Sequence, residues 1–185
     1  MEFEYDIIRF FQSNATTGWI AFFQTASMFG SYLGFLITFI IVFVKNKKLG
    51  LAVALTFAIG SIINYALKLL IRRPRPFDTY SDILNLGNED GFSMPSGHSL
   101  CSGMFATFLI YTLLTYSKDK WTKGLGCFAI CLLPMLVALS RMVLGVHYFT
   151  DTLLGITLGV LFAFFAIMLY YYLVKRLPAR KGKRH

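Results

Sequence analysis

Charge is scarce in this chain, and acid is scarcer than base: 15% of the 185 residues are charged, with 9 Asp and Glu against 18 Lys and Arg. So little charge, beside 56% hydrophobic residues, excludes an ordinary soluble domain, whose apolar share is nearer ~45–50%. Cys101, Cys127 and Cys131 all fall in apolar stretches, where cysteine behaves as a small hydrophobe, so no disulfide framework is expected. Three histidines and no cysteine–histidine cluster give a structural zinc site nothing to stand on. No linker, internal repeat or low-complexity run interrupts the sequence, which excludes a string of separate modules.

What fills the chain instead is long apolar runs. Five are long enough to be membrane spans: Trp19 to Val44, Leu49 to Ile71, Ser99 to Tyr116, Gly124 to about Leu139, and about Thr152 to Val174. They leave no room for a soluble domain, so residues 1–185 form a single membrane-embedded domain. The expected fold is all-α: a polytopic transmembrane helical bundle of five or six helices with an interfacial N-terminal helix. That helix is read from Phe3 to Phe11, where aromatics, Ile7 and Ile8 alternate with Glu2, Glu4, Asp6 and Arg9. The acidic N-terminus does not resemble a secretory signal, so the first span is expected to be kept. Gly30 and Gly34, and again Gly155 and Gly159, are small-xxx-small pairs suited to close helix packing.

A net charge of +9 invites a nucleic-acid reading, but its distribution points to a membrane. Lys45, Lys47 and Lys48, then Lys118, Lys120 and Lys123, then Lys175, Arg176, Arg180, Lys181, Lys183 and Arg184 hold 12 of the 18 basic residues at alternate span boundaries. The positive-inside rule makes those boundaries and the C-terminus cytoplasmic, with the loop from Arg72 to Met94 and the turn at His147 outside. The last cluster also suits anionic membrane lipids.

Three stretches break the apolar background. Ser140-Arg141 to His147 and Asp151 puts an arginine, a histidine and an aspartate between two spans, where ionisable groups are costly. The four-residue spacing lets the carboxylate hold one imidazole nitrogen and leave the other free as a base or nucleophile; an ion-pair staple in the bundle is the plainer alternative. The second span ends in Lys68-Leu69-Leu70-Ile71-Arg72-Arg73-Pro74-Arg75-Pro76, and a bend at Pro74 brings Lys68 and Arg75 toward one point. That is a basic cluster on the outer side, against the positive-inside bias, and it calls for an anionic ligand. Pro95-Ser96-Gly97-His98 opens the third span as a helix N-terminus with free N–H groups, a ready anion site. The acids between, Asp78, Asp82, Glu89 and Asp90, lack calcium-loop or paired-carboxylate spacing and are taken as a solvated face.

Together the three stretches resemble the type-2 phosphatidic acid phosphatase superfamily. Its pattern is a lysine, six residues and Arg-Pro; Pro-Ser-Gly-His; and Ser-Arg, five residues, His, three residues and Asp. All three occur here in order and without a substitution. The resemblance implies a phosphatase or diphosphatase that needs no metal or other cofactor. It implies His147 as the nucleophile, Asp151 as the group that orients it, and His98 as the general acid. Lys68, Arg75, Arg141, Ser96 and the N–H groups of Gly97 and His98 are implied as the phosphate clamp, with Arg72, Arg73 and Ser140 in support. With no soluble domain, a lipid phosphate is the expected substrate: undecaprenyl diphosphate, phosphatidylglycerophosphate or phosphatidic acid. A transporter or channel using the intramembrane charges is the competing reading, but it asks for charges near mid-bilayer, and these cluster at span ends.

Overall fold

The computed structural model describes residues 2–176, the last two by their backbone alone; these residues form eight helices and contain no strand. In chain order they are α1 (Glu2–Ser13), α2 (Thr17–Met28), α3 (Tyr32–Lys45), α4 (Lys47–Ile71), α5 (Pro76–Thr79), α6 (Gly97–Tyr116), α7 (Lys120–Val143) and α8 (Phe149–Arg176). Four of them, α4, α6, α7 and α8, are long and apolar enough to cross a membrane; α2 and α3, bent by 43° at the break between them, make a fifth when counted as one span. The expected first span, Trp19 to Val44, is therefore broken. Ser31, in an extended conformation, interrupts the helix, and its hydroxyl donates to Met28 O at 2.7 Å. The break lets the chain pass close to His98, whose carbonyl would lie 2.8 Å from a Cβ on Gly30. The fourth span is longer than the sequence suggested because Asp119 caps it early, accepting from Thr122 N at 2.6 Å, and because Arg141 is carried in its last turn.

The centre of the bundle is α6, packed against α8, α7, α3 and α4. Its Leu100, Met104, Phe105 and Phe108 are buried with Val42 of α3, Leu49 and Val53 of α4 and Ala163 of α8. The α6–α8 approach depends on glycine. A Cβ on Gly155 would lie 2.5 Å from Ser96 O, one on Gly159 would meet Leu100 O, and one on Gly103 would lie 2.7 Å from Ile156 O. The outer faces are apolar as well: Leu51, Leu55, Ile59 and Ile62 of α4 and Leu161, Phe164, Phe165 and Met168 of α8 stand exposed at helical spacing. Such faces are stable only against lipid, each large side chain withdrawn from water contributing about 1.5–3 kcal/mol.

The two ends of the bundle differ. At one, Asn46 donates to Tyr116 Oη (3.2 Å) and Tyr170 Oη (2.8 Å), beside the lysine clusters at 45–48 and 118–123. The C-terminal basic cluster lies outside the described residues, apart from the backbone of Lys175 and Arg176. At the other end, α1 lies across the loops: Ile8 is buried with Ile83, Met142 and Tyr148, while Phe3 and Phe10 face outward. Gln12 Nε2 donates to Leu84 O at 2.9 Å, and Gln12 Oε1 accepts from Leu84 N at 2.9 Å. All three polar motifs meet at this end.

Candidate active site

Three chain reversals build the site. Helix α4 ends at Arg72, whose left-handed conformation (φ 52°) turns the chain, and Pro74 keeps it from resuming the helix. The reversal brings Arg75 beneath the loop that follows. Helix α6 starts from Ser96, whose hydroxyl accepts from Ser99 N at 3.4 Å and whose amide donates to Asp151 O at 3.0 Å. Between α7 and α8, Gly145 takes φ +72°, and a Cβ there would meet Gln12 and Leu84 O, so only glycine fits. That turn presents His147.

His147 is not on the helix that carries Asp151; α8 begins two residues later, at Phe149. The pairing is made by the turn instead. Asp151 Oδ2 accepts from Tyr148 N at 2.9 Å and lies 3.5 Å from His147 Nδ1, too far for a hydrogen bond, so Nδ1 has no hydrogen-bond partner. Catalytic hydrogen bonds are commonly loose before substrate arrives. On the other side, Arg75 Nη1 is 3.4 Å from His147 Nε2. A guanidinium only donates, so Nε2 is the acceptor and the imidazole proton sits on Nδ1, facing the carboxylate. Burial, reinforced by the charges of Arg141, Lys68 and Arg75 and opposed by Glu89, pushes the His147 imidazole well below its ordinary value of 6.5. The result is a neutral ring whose Nε2 lone pair faces Arg75 at the wall of a cavity.

That cavity, about 340 Å³, is lined by Lys68, Arg75, Glu89, Gly97, His98 and His147 among others. A second, polar cavity of about 350 Å³ lies beyond His98, between Gln24, Ser27, Ser31, Asn88 and Arg141. A third, more apolar one of about 210 Å³ runs from His98 and Gly97 between Tyr32, Phe57 and Asn64 at the break of the first span. His98 borders all three.

Every N–H of Arg75 is engaged. Nε donates to Gly91 O (2.9 Å), Nη1 to Val146 O (2.9 Å) and toward His147, and Nη2 to Asp90 O (2.7 Å) and Glu89 Oε2 (3.1 Å). Lys68 Nζ donates to Phe92 O and Ser93 O. Arg141 donates to Ser27 Oγ and Glu89 Oε1, and its buried Nε has no partner. Glu89 Oε1 is also 3.6 Å from His98 Nδ1.

Of the residues the sequence singled out, Lys68, Arg75, Gly97, His98, Arg141 and His147 line these cavities, with Asp151 directly behind His147. Ser96 does not line them: it is buried as the N-cap of α6. Ser140 is buried too, donating to Val137 O at 2.7 Å. Arg72 points away and donates to its own helix, at Leu69 O.

Two residues escaped the sequence reading. Glu89, taken as part of a solvated face, is the carboxylate between Arg75 and Arg141; burial raises its pKa, but Arg141, His98 and Arg75 outweigh that and hold it below the usual range. Glu4, on α1, receives Arg73 at 2.7 Å, while Arg73 reaches Asp151 Oδ1 at 2.6 Å and lies 3.9 Å over the Tyr148 ring. The other Glu4 oxygen accepts from Thr150 N and Oγ1. Asp151 is thus held from behind by the N-terminal helix. Among the described residues, no three His, Cys, Asp or Glu side chains converge as metal ligands.

Residues 49–175 match a family model described as the PAP2 superfamily. The chain is 39% identical over 119 residues to phosphatidylglycerophosphatase B of Bacillus subtilis, covering 62% of this chain and 55% of that protein. It is 27% identical over 131 residues to an undecaprenyl-diphosphatase of Sulfolobus acidocaldarius, covering 70% and 59%. The chain thus spans little more than half the length of these curated relatives. The crystal structure of a transmembrane PAP2-type phosphatidylglycerolphosphate phosphatase from Bacillus subtilis superposes with a TM-score of 0.78 at 28% identity, covering 96% of this chain and 88% of that one. Aquifex aeolicus LpxE shares the fold, with a TM-score of 0.72 at 20% identity and 88% and 93% coverage. With the family match running through most of the bundle and all three motifs gathered at one end of it, this multi-pass membrane chain belongs to the PAP2 superfamily.

Proposed function

We propose that the chain is an integral-membrane lipid phosphate phosphatase that works through a phosphohistidine at the outer membrane–water interface. The observation that carries this is the His147 ring: its acceptor nitrogen faces the Arg75–Lys68 cavity, and its protonated nitrogen faces a buried carboxylate. In the first step His147 Nε2 attacks phosphorus and the bond to the leaving oxygen breaks, while His98 supplies the proton that oxygen needs. Asp151 stabilises the ring as it becomes positive. In the second step water, losing its proton to His98, attacks the phosphohistidine, and inorganic phosphate departs with His147 restored. Arg75, Lys68 and Arg141 balance the charge on the equatorial oxygens, the main requirement of phosphoryl transfer, and the N–H groups of Gly97 and His98 at the start of α6 add to them. Ser96 serves by fixing that helix start.

The cavity beside Tyr32, Phe57 and Asn64 supports a lipid substrate, because it runs from His98 to the break of the first span and is partly lined by apolar side chains. Phosphatidylglycerophosphate, undecaprenyl diphosphate and phosphatidic acid all fit this chemistry, and the names of the relatives favour the first two. The lysine clusters at the far end of the bundle support an extracytoplasmic site, by the positive-inside rule.

The test is phosphate release by detergent-solubilised protein from each of the three lipids in EDTA, beside His147→Ala. Release that survives EDTA and disappears in the variant is the expected result. No release from any of them by folded protein contradicts the proposal.

A further inference from the structure

The phosphate clamp is already occupied by a carboxylate. Glu89 Oε2 takes Arg75 Nη2 at 3.1 Å and Oε1 takes Arg141 Nη2, with His98 Nδ1 3.6 Å away and Lys68 lining the same cavity. With all five Arg75 donors engaged, an anion placed against His147 Nε2 must take over bonds that now end on the protein. The ones within its reach are those pointing to His147 and to Glu89. The other Arg75 acceptors, at Asp90, Gly91 and Val146, are backbone carbonyls fixed by the fold, whereas Glu89 is a side chain about a quarter exposed. It stands between the His147 cavity and the polar cavity beyond His98, and it lines both. Asn85 holds its backbone, accepting from Glu89 N at 3.2 Å and donating to Glu89 O at 3.0 Å, so the side chain can swing without unseating the loop.

We infer that Glu89 is an internal competitor for the phosphate seat, a tethered monoanion that any incoming headgroup must displace. The inference rests on the phosphatase reading. The carboxylate weakens the binding of every anion by a similar factor, and the consequence depends on what surrounds the site. A phosphomonoester or diphosphate, carrying about two charges, compensates the two guanidiniums and Lys68 better than Glu89 does and still binds. A phosphodiester carries one charge, as Glu89 does, and gains little from the exchange. The phosphodiester lipids that make up a membrane are thereby kept from filling the site. When inorganic phosphate forms, Glu89 returning to Arg75 and Arg141 also speeds its departure.

The experiment compares the full chain with Glu89→Gln and Glu89→Asp in detergent micelles. Equilibrium binding is measured for inorganic phosphate and for a short-chain phosphatidylglycerol, a phosphodiester, by ligand-induced thermal stabilisation, which needs no turnover. Removing one charge from between two guanidiniums is expected to tighten both ligands by about 10- to 100-fold in Glu89→Gln. Glu89→Asp, whose shorter carboxylate holds the arginines less well, should fall between the two and carries the test if Glu89→Gln fails to fold. The variant's phosphate release should also become sensitive to phosphodiester levels that leave the parent protein unaffected. Equal or weaker binding of both ligands in the variants overturns the inference. A parent protein that binds phosphate with this pattern yet releases none from any lipid leaves Glu89 as the competitor and contradicts the phosphatase reading instead.

Discussion

The chemistry proposed for His147 turns on one proton, and the contact with Arg75, which has no lone pair to offer Nε2, puts that proton on Nδ1. Two predictions belong to these residues. His147→Ala should lower the rate by on the order of 10⁴-fold or more, as loss of a nucleophile does, and Arg75→Ala by about 10²–10³-fold, mainly in kcat, because its positive charge matters most as charge develops; steady-state kinetics on a lipid phosphate checks both. The second concerns acid. The folded imidazole binds a proton less readily than the unfolded one, so its contribution to stability is complete above the ordinary value of 6.5 and declines as pH falls below it. Thermal unfolding in detergent should show melting temperature dropping below about pH 6.5, with a shallower drop in His147→Asn; identical slopes contradict the assignment. At this scale most of the candidate site was legible, since His147 and Asp151, or Lys68 and Arg75, are a few residues apart and their spacing constrains them. Glu89 was not, because it meets Arg141 from 52 residues away through an irregular loop whose course no periodicity reveals.

Among the elements, α1 does more than lie at an interface. Its Glu4 grips Arg73, and Arg73 grips Asp151, so the carboxylate behind His147 depends on a helix far from it in sequence. Glu4→Gln should destabilise the fold by about 1.5–3 kcal/mol, the worth of a hydrogen bond to a charged group, and should lower kcat more than it changes KM; unfolding and kinetics on the same preparation test it. The amphipathic pattern identified the helix but not which acid on its polar face would find a partner. Glycine separates two other elements. Gly159→Ala in α8 must push against Leu100 O and should destabilise the α6–α8 contact, whereas Gly124→Ala in α7 meets nothing within 4 Å and should stabilise its helix by up to about 1 kcal/mol. The small-residue spacing in α8 predicted its close contact correctly. The break at Ser31 was illegible because the contact it accommodates, His98 beside Gly30, is a tertiary one between segments far apart in the chain, which no local spacing reveals.

The whole molecule is a bundle with one chemical end and one basic end. Apolar run lengths were enough to give the all-α membrane fold, because a bilayer leaves few other ways to satisfy the backbone. Sidedness rests on the lysines and is tested by labelling: in a Cys127→Ala, Cys131→Ala background, the exposed sites Ser81→Cys and Lys118→Cys should respond oppositely to a membrane-impermeant thiol reagent on intact cells, with only the former labelled. The measurement that bears most directly on the central claim is rapid quenching of the protein with a lipid carrying labelled terminal phosphate, followed by denaturation in alkali. A phosphohistidine account predicts label on the protein that survives alkali, is lost in acid, and maps to the peptide containing His147. Turnover of the same lipid with no labelled protein at any quench time contradicts it, and would mean that water attacks phosphorus directly.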